Sequence, residues 1–406
     1  MSGKDPTNPT RTPDERPPAK APSQAPAAKA GSQAPPAAPA PPTDDERWMD
    51  VALAQAKNGK PSPNPHVGAA VVKDGEVVAT AHHERAGGDH AEIAALRAAG
   101  EKAKGASLYV TLEPCNHHGR TPPCTDEIIA AKVARVVVGT RDPNPHVEGK
   151  GIEKLRAAGI EVLIGVREDK AQAWIAPWAK HITDGLPYVS LKLALSLDGR
   201  IATRTGESKW VTGPDARAKV HLLRAKSDAI AVGIGTALAD DPRLTVRDAP
   251  GDSAPRVVFD TKLRLPVASR LVQTARETPT LVLCGIDAPA EAEAVLAGHG
   301  VECLRSPLSA EGRLDVFAAL RSLAARGVVS LMVEGGAELA GSFLAGRFAD
   351  ELHVFVAPIL LGPRGRAGAV DWAGPDTPQQ APRIATPTWE LVGNDAYVHG
   401  PLVYPE

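Results

Sequence analysis

Three short runs in this 406-residue sequence carry side chains that ligate metals. His90-Ala91-Glu92 supplies an imidazole and, two residues on, a carboxylate, while Pro114-Cys115 and Pro123-Cys124 each place a thiol behind a proline. One His and two Cys are three ligands for zinc and leave the fourth tetrahedral position to water, the pattern of a catalytic rather than a structural ion. Two thiolates and a neutral imidazole cancel the metal charge, and a water held there is acidified towards neutrality. Glu92 is surplus to ligation. It is suited to take a water proton and return it to a departing amine, the role of the glutamate in zinc deaminases. Alone, His-x-Glu is common, and two cysteines with eight residues between them are more often buried thiols; the combination is what points to a site. Cys284 and Cys303 lack such company and read as core.

These ligands need elements to bring them together. Thr43-Asp44-Asp45-Glu46 has the form of a capping box, and Trp48, Ala52, Leu53 and Ala56 come next at helical spacing until Gly59 and Pro61 stop the helix. Val67–Val72, the turn pair Asp74-Gly75 and Val77–Ala81 predict a β-hairpin. A helix from His90 to about Ala99 puts His90 at a helix start. A strand at Ser107–Leu112 and a helix at Thr125–Lys132 make Cys115 and Cys124 bracket the loop between them, where free helix N–H groups favour thiolates. Strand Arg135–Thr140, helix Gly151–Ala158 and strand Ile160–Ile164 continue an alternation that predicts a mainly parallel sheet with helices on its faces. Residues 165–186, with Trp174, Pro177 and Trp178, read as a packed connection. A second α/β unit starts near Leu186-Pro187, where Val189, Leu191, Leu193 and Leu195 alternate with smaller or polar residues. Strands are predicted at Ala229–Val232, Arg256–Asp260, Thr280–Cys284, Val328–Val333 and Glu351–Ala357, with helices at Asp215–Lys226 and Leu314–Ala325.

Composition narrows the partners. With 46 Lys+Arg against 48 Asp+Glu the chain has no basic footprint for a phosphate backbone, so nucleic acid is not an expected partner. No run approaches the roughly 18 apolar residues of a membrane helix, so no membrane is expected either. Four scattered cysteines do not make a disulfide scaffold, and a reducing cytoplasm is the expected location. Before Trp48 there is no Val, Ile, Leu, Phe, Tyr or Trp, so residues 1–44 form a Pro/Ala-rich tail expected to be disordered.

The stretch between the cysteines says more. Deaminases of bases typically carry Cys-x-x-Cys; here Glu113-Pro114-Cys115-Asn116-His117-His118-Gly119-Arg120-Thr121-Pro122-Pro123-Cys124 is longer. With Pro63-Asn64-Pro65, the His-Ala-Glu and Asp142-Pro143-Asn144-Pro145, it closely resembles the bifunctional deaminase–reductase family of riboflavin biosynthesis. The resemblance runs from Asp45 to the C-terminus. It implies a cytidine-deaminase-like three-layer α/β/α domain over 45–186, using zinc, and a dihydrofolate-reductase-like α/β domain over 187–406, using NADPH. The implied substrate is a diaminopyrimidinone carrying ribose 5-phosphate, for which Arg120, His117 and His118 offer cations and donors. Asn64 and His82 are implied holders of the pyrimidine.

In the second half, Gly233-Ile234-Gly235-Thr236 lacks the third glycine of a dinucleotide fingerprint, and a turn is its default reading. Val333-Glu334-Gly335-Gly336-Ala337 sets two glycines between a strand and a helix, where backbone N–H groups bind phosphate or simply make a tight turn. Lys192–Arg200, Gly206–Trp210, Leu223–Ala225 and Leu238–Arg247 carry the family resemblance here. It implies that Leu195, Trp210, Thr236, Asp240, Thr261 and the turn Gly335-Gly336-Ala337 hold NADPH. Ser208, Arg224, Leu244, Arg247 and Glu334 would hold the ribosyl phosphate, and hydride would open the ribose to a ribityl chain. Lys192, Asp198 and Glu334 are candidate proton donors, the first and last foremost, each with an ordinary alternative as a salt-bridge or turn residue. A homo-oligomer is the expected assembly. Two competing readings remain: a nucleoside or RNA deaminase with an appended binding module, which the long loop and near-neutral charge disfavour, and a zinc-stapled scaffold, which lacks a fourth ligand.

Overall fold

A computed structural model describes residues 41–117, 122–144, 149–362 and 368–405; most of the Pro/Ala-rich tail, together with His118 and Arg120, lies outside the described residues. The first half runs α1 (Asp44–Ala56), β1 (Gly68–Lys73), β2 (Glu76–His82), α2 (Ala91–Ala99), β3 (Ser107–Leu112), α3 (Cys124–Ala130), β4 (Arg135–Thr140), α4 (Lys150–Ala157), β5 (Glu161–Ile164) and α5 (Glu168–Asp184). Thr43 and Glu46 close the capping box at α1. The strands form one sheet in the order β2-β1-β3-β4-β5. It is mixed rather than mainly parallel: β1 is antiparallel to β2 and β3, and only β3, β4 and β5 are parallel. The two-residue turn Asp74-Gly75, whose positive φ values of 52° and 76° fit a tight hairpin, sets β2 antiparallel to β1, and the chain then crosses through α2 to place β3 on the other side of β1. Met49, Ala52 and Leu53 of α1 pack with Ala171 of α5 on one face. Ala91, Ala95, Ile128 and Leu155 of α2–α4 cover the other, giving three layers.

The expected connection is itself a helix. Ala171 and Ile175 of α5 are buried, Arg167 reaches Glu46 (3.0 Å) and Asp50 (3.1 Å), and Gly185 ends the helix at φ 66°. Lys180 Nζ donates to both oxygens of Asp350, at 2.8 and 2.6 Å, and the same carboxylate accepts from Val189 N at 2.7 Å. The helix thus ties the first sheet to the second.

The second half runs β6 (Tyr188–Ser196), α6 (Pro214–Ala225), β7 (Ala229–Gly233), α7 (Ile234–Asp240), β8 (Arg256–Phe259), α8 (Arg270–Gln273), β9 (Thr280–Gly285), α9 (Ala290–Gly298), β10 (Glu302–Ser306), α10 (Val316–Ala324), β11 (Ser330–Val333), α11 (Ala337–Ala345), β12 (Glu351–Ala357), β13 (Arg383–Ile384), β14 (Thr388–Val392) and β15 (Asp395–Val403). Strands β10-β9-β8-β7-β11-β6-β12 are parallel, and β15 adds antiparallel to β12, flanked by β13 and β14. Along β6, Val189, Leu191 and Leu193 join the core under α10 and α11. The alternate residues, Lys192 among them, face the side covered by α6.

Candidate active sites

His90 is the N-cap of α2 and makes no side-chain cap, so its ring is available to turn towards the cysteines. Cys124 is the first residue of α3, and its backbone N–H donates to Cys115 Sγ at 3.4 Å. His90 Nδ1 lies 3.1 Å from Cys124 Sγ and 3.7 Å from Cys115 Sγ, and the two sulfurs are 3.3 Å apart. Zinc bonds of roughly 2.0–2.3 Å set tetrahedral ligand edges of about 3.3–3.8 Å, so the three atoms already have the spread one ion needs. Cys115 is held well below the usual thiol range by hydrogen bonds from Cys124 and His90, despite its burial. Its thiolate repels a second charge on Cys124, a repulsion that a divalent cation removes. The donor set fits zinc. Glu92, in the first turn of α2, is only 4% exposed, and burial raises its carboxyl above the usual range.

Glu113 holds this loop from behind. Buried at the end of β3, it accepts from the backbone N–H groups of Asp142 (3.3 Å), Gly149 (3.2 Å), Gly151 (3.2 Å) and Ile152 (3.4 Å), pinning Pro114-Cys115 to the start of α4. Asn116 adds an acceptor for the Thr125 hydroxyl at 3.0 Å. His117 is exposed just before the undescribed part of the loop.

Asn64 comes to the site through a neighbour that sequence reasoning missed. Its Nδ2 is 2.9 Å from Nε2 of buried His83, whose Nδ1 is 2.9 Å from the Asp89 carbonyl and whose ring stands edge-on to His90 at 5.2 Å. The carbonyl only accepts, so Nδ1 carries the proton, Nε2 accepts from the Asn64 amide, and Asn64 Oδ1 is left to face a ligand. Burial lowers the pKa of His83, consistent with a neutral ring. His82 instead pairs with Glu84 at 2.6 Å. His82 is the last residue of β2 and His83 lies just beyond it.

On the second sheet, Arg224 of α6 meets Glu334, just past β11, in a two-pronged ion pair: Nε–Oε1 2.5 Å and Nη2–Oε2 2.9 Å. Both side chains are nearly buried, 12% and 8% exposed. Burial alone would raise the Glu334 carboxyl, but Arg224 holds it below the usual range. Burial lowers the Lys192 ammonium, and Glu334 partly offsets this. Arg224 Nη1 also donates to Thr245 O at 3.1 Å. Asp240 accepts from the Ser208 hydroxyl at 2.9 Å, and buried Leu244 turns the following loop at φ 54°. Arg247 is exposed, its Nη1 on the Thr245 hydroxyl at 3.0 Å.

Gly336 caps α11, and a Cβ there would stand 3.3 Å from Thr236 Oγ1; at Gly335 it would press on Leu339 at 2.9 Å. Bare backbone at a helix start beside a hydroxyl is a fit for a pyrophosphate. Leu195 lies on β6, while Thr261 comes just after β8 and its carbonyl accepts from Gly285 N at 2.9 Å. Trp210 is 67% exposed, with the Arg217 guanidinium 4.6 Å over its ring. Asp198 accepts from Ser196 Oγ (2.6 Å), Gly362 N (2.7 Å) and Leu361 N (3.0 Å), which hold its carboxyl to about 2. That is a loop clamp, ionised at any working pH.

The chain is similar to known proteins in sequence and in fold. A family model described as the RibD C-terminal domain matches residues 187–398, and one for the cytidine and deoxycytidylate deaminase zinc-binding region matches residues 42–140. The chain is 46% identical over 321 residues to the riboflavin biosynthesis protein RibD of Aquifex aeolicus (strain VF5), covering 78% of this chain and 88% of that one. It is 43% identical over 364 residues to the RibD of Escherichia coli (strain K12), covering 87% and 98%. Acinetobacter baumannii RibD, form 1, superposes with a TM-score of 0.78 at 38% identity, covering 89% of this chain and 99% of that structure. A Thermotoga maritima diaminohydroxyphosphoribosylaminopyrimidine deaminase/5-amino-6-(5-phosphoribosylamino)uracil reductase does so with 0.78 at 36%, with the same coverage.

Proposed function

Because the chain belongs to the RibD family, we infer that its two sheets serve two successive reactions, one at the His90–Cys115–Cys124 cluster and one around Lys192, Arg224 and Glu334. The protein is a bifunctional enzyme of riboflavin biosynthesis: it removes ammonia from the diaminopyrimidinone ribosyl phosphate, then reduces the ribosyl group to ribityl with NADPH. The convergence of His90, Cys115 and Cys124 beside buried Glu92 carries the first half of this reading.

Bound zinc supplies Lewis acidity that brings the pKa of a water towards neutrality. Glu92 takes that water's proton and delivers it to the departing amine; its raised pKa suits a group that must act as base and then as acid. Asn64, oriented by His83, offers its carbonyl oxygen to the pyrimidine edge. Glu113 keeps the cysteine loop in register and touches no substrate.

NADPH supplies the hydride of the second step. The backbone N–H groups of Gly335, Gly336 and Ala337 would hold its pyrophosphate, and Thr236, Leu195, Trp210, Asp240 and Thr261 would complete its binding. Arg247, exposed and positively charged, meets the substrate phosphate together with Ser208 and the Leu244 turn. Arg224 is already engaged by Glu334, so the pair acts as one floor to the ribose site. Glu334, held as a carboxylate, is a poor acid; Lys192, whose ammonium is destabilised by burial, is the better proton donor.

The proposed domain limits are 45–186 for the deaminase and 187–406 for the reductase, with Gly185 ending the connecting helix; the limit of 44 for the tail falls on the first residue of α1, whose cap is Thr43. Among the described residues no helix is long and apolar enough to cross a membrane, and a cytoplasmic location is proposed. Exposed Trp389 and Leu391 on β14 favour self-association into a homo-oligomer. The deciding assay incubates the protein with the diaminopyrimidinone ribosyl phosphate and NADPH, tracking ammonia and NADPH together. Both should change in sequence; ammonia release without NADPH oxidation removes the second half of the reading.

A further inference from the structure

We propose that Glu351, His353 and His399 form a second metal site, for a divalent first-row transition ion such as zinc, clipping β12 to β15. His353 and His399 are direct partners across the antiparallel ladder, and Glu351 lies two residues before His353 on the same face. One ligand atom from each lies within 4.8 Å of the others. Glu351 Oε2 is 3.5 Å from His353 Nε2, and Oε1 is 3.9 Å from His399 Nδ1. Those separations are too long for good hydrogen bonds. They approach the tetrahedral edge of about 3.3 Å that metal–ligand bonds of roughly 2.0–2.1 Å require.

Each residue also shows an unspent or prearranged valence. His399 Nδ1 is buried and has no hydrogen-bond partner among the described residues, the kind of orphaned atom that a bound cation would satisfy. His353 Nδ1 is 2.7 Å from the Tyr397 hydroxyl, which holds the ring with Nε2 towards Glu351. Ligating imidazoles are characteristically oriented in this way through their second nitrogen. Ser190 Oγ donates to Glu351 Oε2 at 3.3 Å and steadies the carboxylate from the other side. The nearby Lys219 ammonium, 4.5 Å above the Tyr397 ring, is neutralised by Glu390 and leaves the cluster open to a cation.

Two imidazoles and one carboxylate favour zinc, cobalt or nickel over magnesium or calcium. Glu351 and His399 keep 26% and 30% of their side chains exposed, enough for an ion to enter and for water to complete its coordination. None of the three is among the residues assigned above to deamination or ribose reduction, although His353 is the ladder partner of Lys192. Because β15 pairs β12, and β12 pairs the strand that bears Lys192, an ion here would fix the antiparallel margin of the reductase sheet.

Metal content of the full chain decides this. Protein loaded with excess zinc and then desalted should hold two equivalents per chain. It should hold one in His399→Ala, one in His353→Ala, and one in the Cys115→Ser/Cys124→Ser double variant. Added zinc should raise the melting temperature of the cysteine double variant, and should no longer do so once His399→Ala is also present. One equivalent in the parent with none in the double cysteine variant overturns the proposal, as does retention of two equivalents by both histidine variants. If His353→Ala fails to fold because Tyr397 loses its partner, His399→Ala carries the same test, with retained NADPH oxidation reporting an intact reductase half.

Discussion

At the scale of single residues, the pair Arg224–Glu334 shows how burial turns charge into structure. Removing one member of a buried ion pair leaves its partner uncompensated, so Arg224→Gln should cost about 3–5 kcal/mol, read from denaturant unfolding. The folded pKa of Glu334 lies below its ordinary 4.5. The stability it contributes is therefore complete above about pH 4.5 and is lost as pH falls through the folded value. Glu334→Gln should accordingly flatten the acid limb of a stability–pH profile. Glu92 is predicted to behave differently. Glu92→Gln should slow ammonia release about 100- to 10,000-fold while leaving bound zinc and reduction of the deaminated intermediate unchanged. That His90, Cys115 and Cys124 converge was legible from residue type and spacing alone. The Arg224–Glu334 contact was not, because 110 residues separate partners that only the packing of α6 against β11 brings together. His83 was not singled out, because it lies just past the end of β2 and its contact with Asn64 spans 19 residues.

Among the elements, close approach fixes the cysteine loop. A Cβ at Gly151, in the first turn of α4, would stand 2.1 Å from the Pro114 carbonyl oxygen. Gly151→Ala should therefore cost about 1–3 kcal/mol and depress ammonia release, with NADPH oxidation as the spared control. Elements with a marked apolar pattern were readable from sequence: β3 and β4, continuous runs buried on both faces, and β12, which alternates, fall at their predicted limits, and α1 carries its predicted cap. β14 was not readable, because four of its five residues are exposed and no alternation between core and solvent marks it. α5 was concealed by Pro177, which reads as a breaker although the helix continues through it.

For the whole molecule, the two reactions sit on different sheets, so their dependence on metal should separate. A chelator that strips the cysteine site should abolish ammonia release and leave NADPH oxidation of the deaminated intermediate intact. Lys180→Ala removes the charged partner that α5 lends to Asp350. It should lower the melting temperature and split a single unfolding transition into two, as seen by calorimetry.

A helix used as a strut has phase as well as length. Each residue inserted into or deleted from α5 rotates the rest of the helix by about 100° and shifts it by about 1.5 Å. Only a change close to a whole turn restores the meeting of Lys180 with Asp350. The outer letters of this stretch are therefore free to drift while its residue count is not, and relatives should differ there by substitution far more often than by gap.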